Sequence, residues 1–226
     1  PNGGRNEVDE EGRAALRLPV EQQRLTIRDF SDGLLTLMTS TPILFDALIL
    51  AAWGRDDEAT AIEMMLIHAE VIASTLALQS FANVVLSRER PYGRTCGGGG
   101  PDDFDEANFF CDSPDRYYSF FSGHTSQAFA SAAVICLFHM SMPLLGEGPG
   151  NDVLPCIAGF ALAGATGIFR ILGDMHYASD VLTGAAGGTA VGFRVPWLLH
   201  FNPRSPGETG VSILPNPTGV SVVGVF

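Results

Sequence analysis

Positive charge is scarce in this chain. Thirteen lysine-plus-arginine residues stand against twenty-five acidic ones, giving a formal net charge of -12. A phosphate backbone would be repelled by such a surface, which argues against a nucleic-acid partner. No secretory signal is visible, and the chain opens on Pro1 instead of a methionine, so a processed or truncated chain is expected. The glycine run 97–100 is not followed by the Gly-Lys-Ser/Thr of a nucleotide P-loop and reads as a flexible connection. Glu63, His68 and Glu70 share one helical stretch but lack zinc-type spacing, so no metal site is expected. Strand patterning is also missing until the tail, where residues 211–214 and 220–226 flank a Pro-Asn-Pro-Thr-Gly turn and suggest a small hairpin.

What fills the chain is apolar helical text. At 226 residues and 46% hydrophobic, it is large enough for one domain with a sizeable core. After a polar N-terminal segment over 1–30, with a short helical signal near 10–18 and no chemistry assigned, apolar density rises at Asp32. Pro42 interrupts the next helical stretch. A long helix runs from Glu58 to about Leu86, and three more apolar segments cover 125–145, 153–171 and 177–200. Gly184, Gly188 and Gly192, and likewise Gly159, Ala163 and Gly167, recur every four residues and permit close helix approach. The fold class expected is all-α: a bundle of about five or six helices with the site at one end, spanning 31–200, followed by a C-terminal tail over 201–226. The segments at 125–145 and 153–171 approach the roughly 20 residues of a bilayer span. With a mean hydropathy of +0.20, the reading leans towards a membrane-embedded or membrane-attached bundle.

Three short stretches carry the chemistry. Arg170, His176 and Asp180 stand at fixed intervals, and a helix beginning near His176 puts Asp180 on its face, four residues on. Asp180 is then expected to take the proton of one ring nitrogen of His176, leaving the other as a nucleophile, while Arg170 holds an oxyanion. Ser122-Gly123-His124 precedes an apolar run; the serine is a helix-cap signal and the first-turn amides form an anion site beside His124. Arg90-Pro91 closes the long helix, with Arg90 projecting from its last turn.

In order and spacing, these stretches resemble the type 2 phosphatidic acid phosphatase family, which includes bacterial class A acid phosphatases and vanadium haloperoxidases. The resemblance implies a metal-independent phosphomonoesterase acting on a phosphorylated small molecule or lipid. His176 is the expected nucleophile and forms a phosphohistidine. Asp180 orients it, and His124 serves as acid and then base. Arg90, Arg170, Ser122 and Gly123 bind phosphate. No cofactor is expected, or vanadate if the chain is a haloperoxidase. A catalytically silent membrane or binding protein that keeps the pocket is a further alternative. The expected location is membrane-associated, with the site towards an extracytoplasmic, periplasmic compartment.

Three positions depart from the family pattern. Asn83 stands where the family has a lysine, Phe121 replaces a proline and Phe169 a serine. Arg94, free of the helical register beyond Pro91, is the expected stand-in for the lysine. Arg88, about 200° around the helix from Arg90, is expected to face away. Cys96 and Cys111 bracket the centre of the long loop over 92–120; a bridge there would close about 15 residues, worth about 3 kcal/mol in the chain-entropy model, and would imply an oxidising compartment. Cys136 and Cys156, in apolar helical text, are expected to be small buried residues.

Overall fold

Asn6 opens the first helix by accepting the Val8 amide at 3.2 Å. The computed structural model describes residues 6–96, 111–146, 148, 150–201, 210–216 and 219–225. Helix α1 covers Glu7–Leu16 and α2 Glu21–Thr41. At Pro42 α2 does not break: the proline takes the first position of a π-helical continuation, Pro42–Trp53, so the rod runs on. Asp57 caps α3, Glu58–Leu86, by accepting the Thr60 amide at 3.0 Å. The end of α3 is set by Ser87 in the left-handed region (φ 41°), before Pro91 is reached. Short 3₁₀ turns at Pro91–Thr95 and Pro114–Tyr117 lead to α4, Gly123–Ser141, then α5, Val153–Leu172, and α6, Ala178–Pro196. The glycine run of the long loop lies outside the described residues.

The central element is α4. One of its faces packs Ala130, Val134 and Phe138 against Met64, Ile67 and Val71 of α3; the other packs Ala128, Ala132 and Ile135 against Met38 and Ala163. Phe138 is completely buried, and truncating such a residue to alanine costs about 3–5 kcal/mol. The small-residue stripes do what their spacing predicts. A Cβ on Gly184 would sit 2.8 Å from the Ser122 carbonyl, and one on Gly192 2.6 Å from the Ala130 carbonyl, so α6 lies backbone-to-backbone on α4.

Cys96 and Cys111 are bridged, with Cα atoms 5.7 Å apart. Cys136 and Cys156 correct the sequence expectation. They are not merely small buried residues but form a second disulfide between α4 and α5, Cα atoms 4.3 Å apart. Both lie in apolar helices whose antiparallel contact is a tertiary fact that cysteine spacing does not announce.

Three helical rods, Glu21–Trp53, Glu58–Thr95 and Val153–Leu172, are long and apolar enough to cross a membrane. Their outward faces are apolar: Leu48, Trp53, Phe81, Val84, Leu154 and Ile157 are all exposed. A belt of this extent suits lipid and not water, and the bundle is membrane-associated. The expected 125–145 span is instead α4, whose sides are covered by its neighbours.

The chain divides into two compact units, Pro1–Pro196 and Trp197–Phe226. The second holds a π-helical turn, Trp197–Phe201, and an antiparallel hairpin in which Gly210–Asn216 pairs with Gly219–Val225, Asn216 opposite Gly219.

Candidate active site

His176 lies in the turn between α5 and α6, 3% exposed. Its amide and that of Met175 both donate to the Arg170 carbonyl, at 3.3 and 3.0 Å, which folds the turn back onto the end of α5. The Nδ1–H of His176 donates to the Ser119 carbonyl at 2.8 Å. A carbonyl only accepts, so the proton sits on Nδ1 and Nε2 carries a free lone pair. Burial first, then the positive charges of Arg90 and Arg170, holds the His176 imidazole well below the ordinary histidine range. It is neutral at physiological pH.

Asp180 does not make the expected hydrogen bond to His176: its Oδ2 is 3.9 Å from Nδ1. That oxygen accepts instead from Ser119 Oγ at 2.6 Å and the Tyr177 amide at 3.0 Å, while Oδ1 accepts from Arg88 at 2.5 Å. Asp180 therefore acts on His176 through Ser119, the residue that supplies the orienting carbonyl. Sequence spacing alone gave no signal for Ser119, because its carbonyl, not its side-chain type, does the work.

Arg170 is 3% exposed at the end of α5, and its Nε has no hydrogen-bond acceptor. Its terminal nitrogen meets Asp32 of α2. The same Asp32 oxygen accepts from Nε2 of His124 at 2.9 Å. Burial and the charge of Arg170 pull His124 down to about 4, against the opposing pull of Asp32. Asp32 thus bridges Arg170 and His124, a contact not expected from the sequence.

Ser122 caps α4 as expected, its Oγ accepting from Thr125. Its own amide, however, donates to the Asp180 carbonyl at 3.1 Å. That amide is committed to structure. The start of α4 still offers the amides of Gly123 and His124, which have no intrahelical acceptor.

Arg90 departs from the expected geometry. Because α3 stops at Leu86, residues 88–90 leave the helix and run beside 115–119: Ser119 N donates to Arg88 O, and Arg90 N to Arg116 O at 2.7 Å. Arg90 Nε donates to the Asp115 carbonyl at 2.9 Å, and its charge acts on His176, His124 and Arg170. Arg88 does not face away. It joins Asp180 to Asp9 of α1 (2.7 Å) and lies over the Tyr177 ring at 4.4 Å. Arg94, the expected stand-in for the lysine, is instead paired with Glu10 at 2.5 Å. Nor is the N-terminal segment without a part in the site: Asp9 also accepts from Ser179, and Arg13 and Arg17 clamp Asp174, at 2.7 Å each.

Comparison with known proteins identifies the family. The family model described as the PAP2 superfamily matches residues 65–204, more than half of the chain, and includes His124, Arg170, His176 and Asp180. The chain belongs to the PAP2 superfamily. Its structure resembles that of a transmembrane PAP2-type phosphatidylglycerolphosphate phosphatase from Bacillus subtilis, with a TM-score of 0.57 and 19% identity, covering 89% of this chain and 90% of that one. At that identity the likeness speaks for the fold. Over 88 residues the chain is 41% identical to a lipid A 1-phosphatase of Porphyromonas gingivalis; the match covers 39% of this PAP2 chain and 18% of the relative's length.

Proposed function

We propose that this PAP2 chain hydrolyses phosphate monoesters through a phosphohistidine at His176, without a metal or other cofactor, and that its substrates are phosphorylated lipids. One observation carries the reading: Nδ1 of His176 is locked on the Ser119 carbonyl, so Nε2 stands deprotonated among Arg90, Arg170 and His124. The Nε2 lone pair attacks phosphorus and the bond to the ester oxygen breaks. The departing oxygen takes the proton of His124 Nε2. Water then gives a proton back to His124 as its oxygen attacks phosphorus, and the P–N bond breaks to release phosphate. Arg90, Arg170 with its unpaired Nε, and the Gly123 and His124 amides hold the equatorial oxygens, which is where most of the rate enhancement of such a site arises. A dianionic ligand beside His124 raises its pKa and supplies the protonated form that the first step requires.

The lipid substrate class is supported by the apolar belt and by the names of the two relatives, both phosphatases of lipid phosphates. A site facing the extracytoplasmic side is supported by the Cys96–Cys111 bridge in the loop between two of the site's segments. The test is phosphate release from phosphatidic acid in detergent micelles against a water-soluble aryl phosphate. Release from the lipid that depends on His176 and His124 supports the reading. Activity on the aryl phosphate alone would contradict the lipid assignment.

A further inference from the structure

One oxygen of Asp32 stands between the two groups that the phosphatase reading gives to the substrate. Its Oδ1 meets a terminal nitrogen of Arg170 and lies 2.9 Å from Nε2 of His124. A carboxylate only accepts, so the ring proton of His124 is on Nε2. That is the proton assigned to the departing ester oxygen, and it is engaged by Asp32. The guanidinium assigned to a phosphoryl oxygen is engaged by the same atom.

The carboxylate is held far less firmly than the helix beneath it. Its side chain is 56% exposed, whereas that of Arg170 is buried, and an ion pair with one partner so exposed is weak. Among the described residues, Arg170 and His124 are the only hydrogen-bond partners of that side chain. The backbone of α2, by contrast, is anchored on both sides of the α5 end. Ser31 Oγ donates to the Thr166 carbonyl at 3.1 Å, and Arg28 Nε donates to the Gly173 carbonyl at 2.7 Å. Asp32 can therefore leave by rotating its side chain while α2 stays in place.

We propose that Asp32 is an internal competitor of the substrate: its carboxylate occupies the oxyanion position between Arg170 and His124, and the phosphoryl group displaces it. The proposal rests on the phosphatase reading above. A ligand that needs this position binds with an affinity reduced by the fraction of molecules in which Asp32 has left it. Asp32 thereby weakens the hold on phosphate, and its return after hydrolysis favours release of the product.

A competitor and a mere brace of Arg170 and His124 predict opposite signs. The full chain, purified in detergent, is compared with Asp32→Asn, Asp32→Ala and Asp29→Asn. Inorganic phosphate binding is measured by calorimetry, and again as inhibition of aryl phosphate hydrolysis. Both Asp32 variants should bind phosphate more tightly, by about tenfold if Asp32 holds the position in about nine molecules of ten. Asp29→Asn removes an exposed charge three residues earlier on α2 and should stay within about threefold of the parent. Weaker binding in the Asp32 variants would show that the carboxylate is a brace. Unchanged binding would show that it blocks nothing, and equal tightening in Asp29→Asn would show only an effect of net charge. Each of these three overturns the proposal. If Asp32→Asn does not fold, Asp32→Ala decides alone by the same criteria. Phosphate binding by the parent without hydrolysis would overturn the phosphatase reading while leaving the Asp32 comparison valid.

Discussion

His176 carries two consequences at the scale of single residues. A buried imidazole whose pKa is depressed favours folding while it stays neutral. Its stabilising contribution is complete above the unfolded value near 6.5 and is lost as pH falls from there towards the folded value. We therefore expect the melting temperature to fall on acidification below about pH 6.5, and His176→Ala to flatten that part of the profile; parallel curves for parent and variant would contradict it. The second consequence concerns Asp180. Because the Ser119 carbonyl already fixes the His176 tautomer, Asp180→Asn should lower kcat by only about ten- to a hundredfold. His176→Ala should cost several orders of magnitude, as loss of a nucleophile does. Steady-state kinetics of the two variants check the ranking, and equal losses would mean that Asp180 and not Ser119 controls the ring.

At the scale of elements, α1 braces the segments that carry the candidate site. Asp9 receives Arg88 and Ser179, so α1 fastens the segment after α3 to the start of α6. Arg88→Ala removes a partner from Asp180, which is fully buried. It should lower activity tenfold or more and lower the melting temperature by several degrees, given about 3–5 kcal/mol for breaking a buried pair. Arg94→Ala breaks only a half-exposed pair with Glu10 and should leave both nearly unchanged. Activity and melting assays of the two variants test this order, and its reversal would sink the account of α1. The spacing argument expected the opposite because it carried the helical register through Arg90, whereas Ser87 turns left-handed and ends α3 at Leu86. The helix limits themselves were legible: the long helix was expected from Glu58 to about Leu86, and α5 begins at Val153 where the apolar run begins. Asp32 and Arg28 were not legible. They reach the site from α2 across 92 to 145 residues of sequence, and a lone acidic or basic residue in helical text carries no mark of such a contact.

For the whole molecule, the close packing of α4 on α6 was readable from the Gly184, Gly188 and Gly192 stripe, because only small residues allow backbones so near. The Cys136–Cys156 bridge was not, since apolar neighbours look the same around a free thiol and a buried disulfide. Both phosphoryl-transfer steps fall to histidines in this account, so hydrolysis should survive exhaustive EDTA treatment in full; inactivation reversed by a divalent ion would make the enzyme a metallophosphatase. The central claim is that phosphate passes through His176. The most direct measurement is rapid quench of the enzyme with an aryl phosphate, followed by mass spectrometry under neutral conditions that preserve phosphoramidates. A good leaving group needs little help from His124, so in His124→Ala the first step outruns the second and the intermediate accumulates. The account predicts phosphate on His176 in that variant and none in His176→Ala. Phosphate on another residue, or turnover with no covalent phosphoenzyme in either, would contradict it.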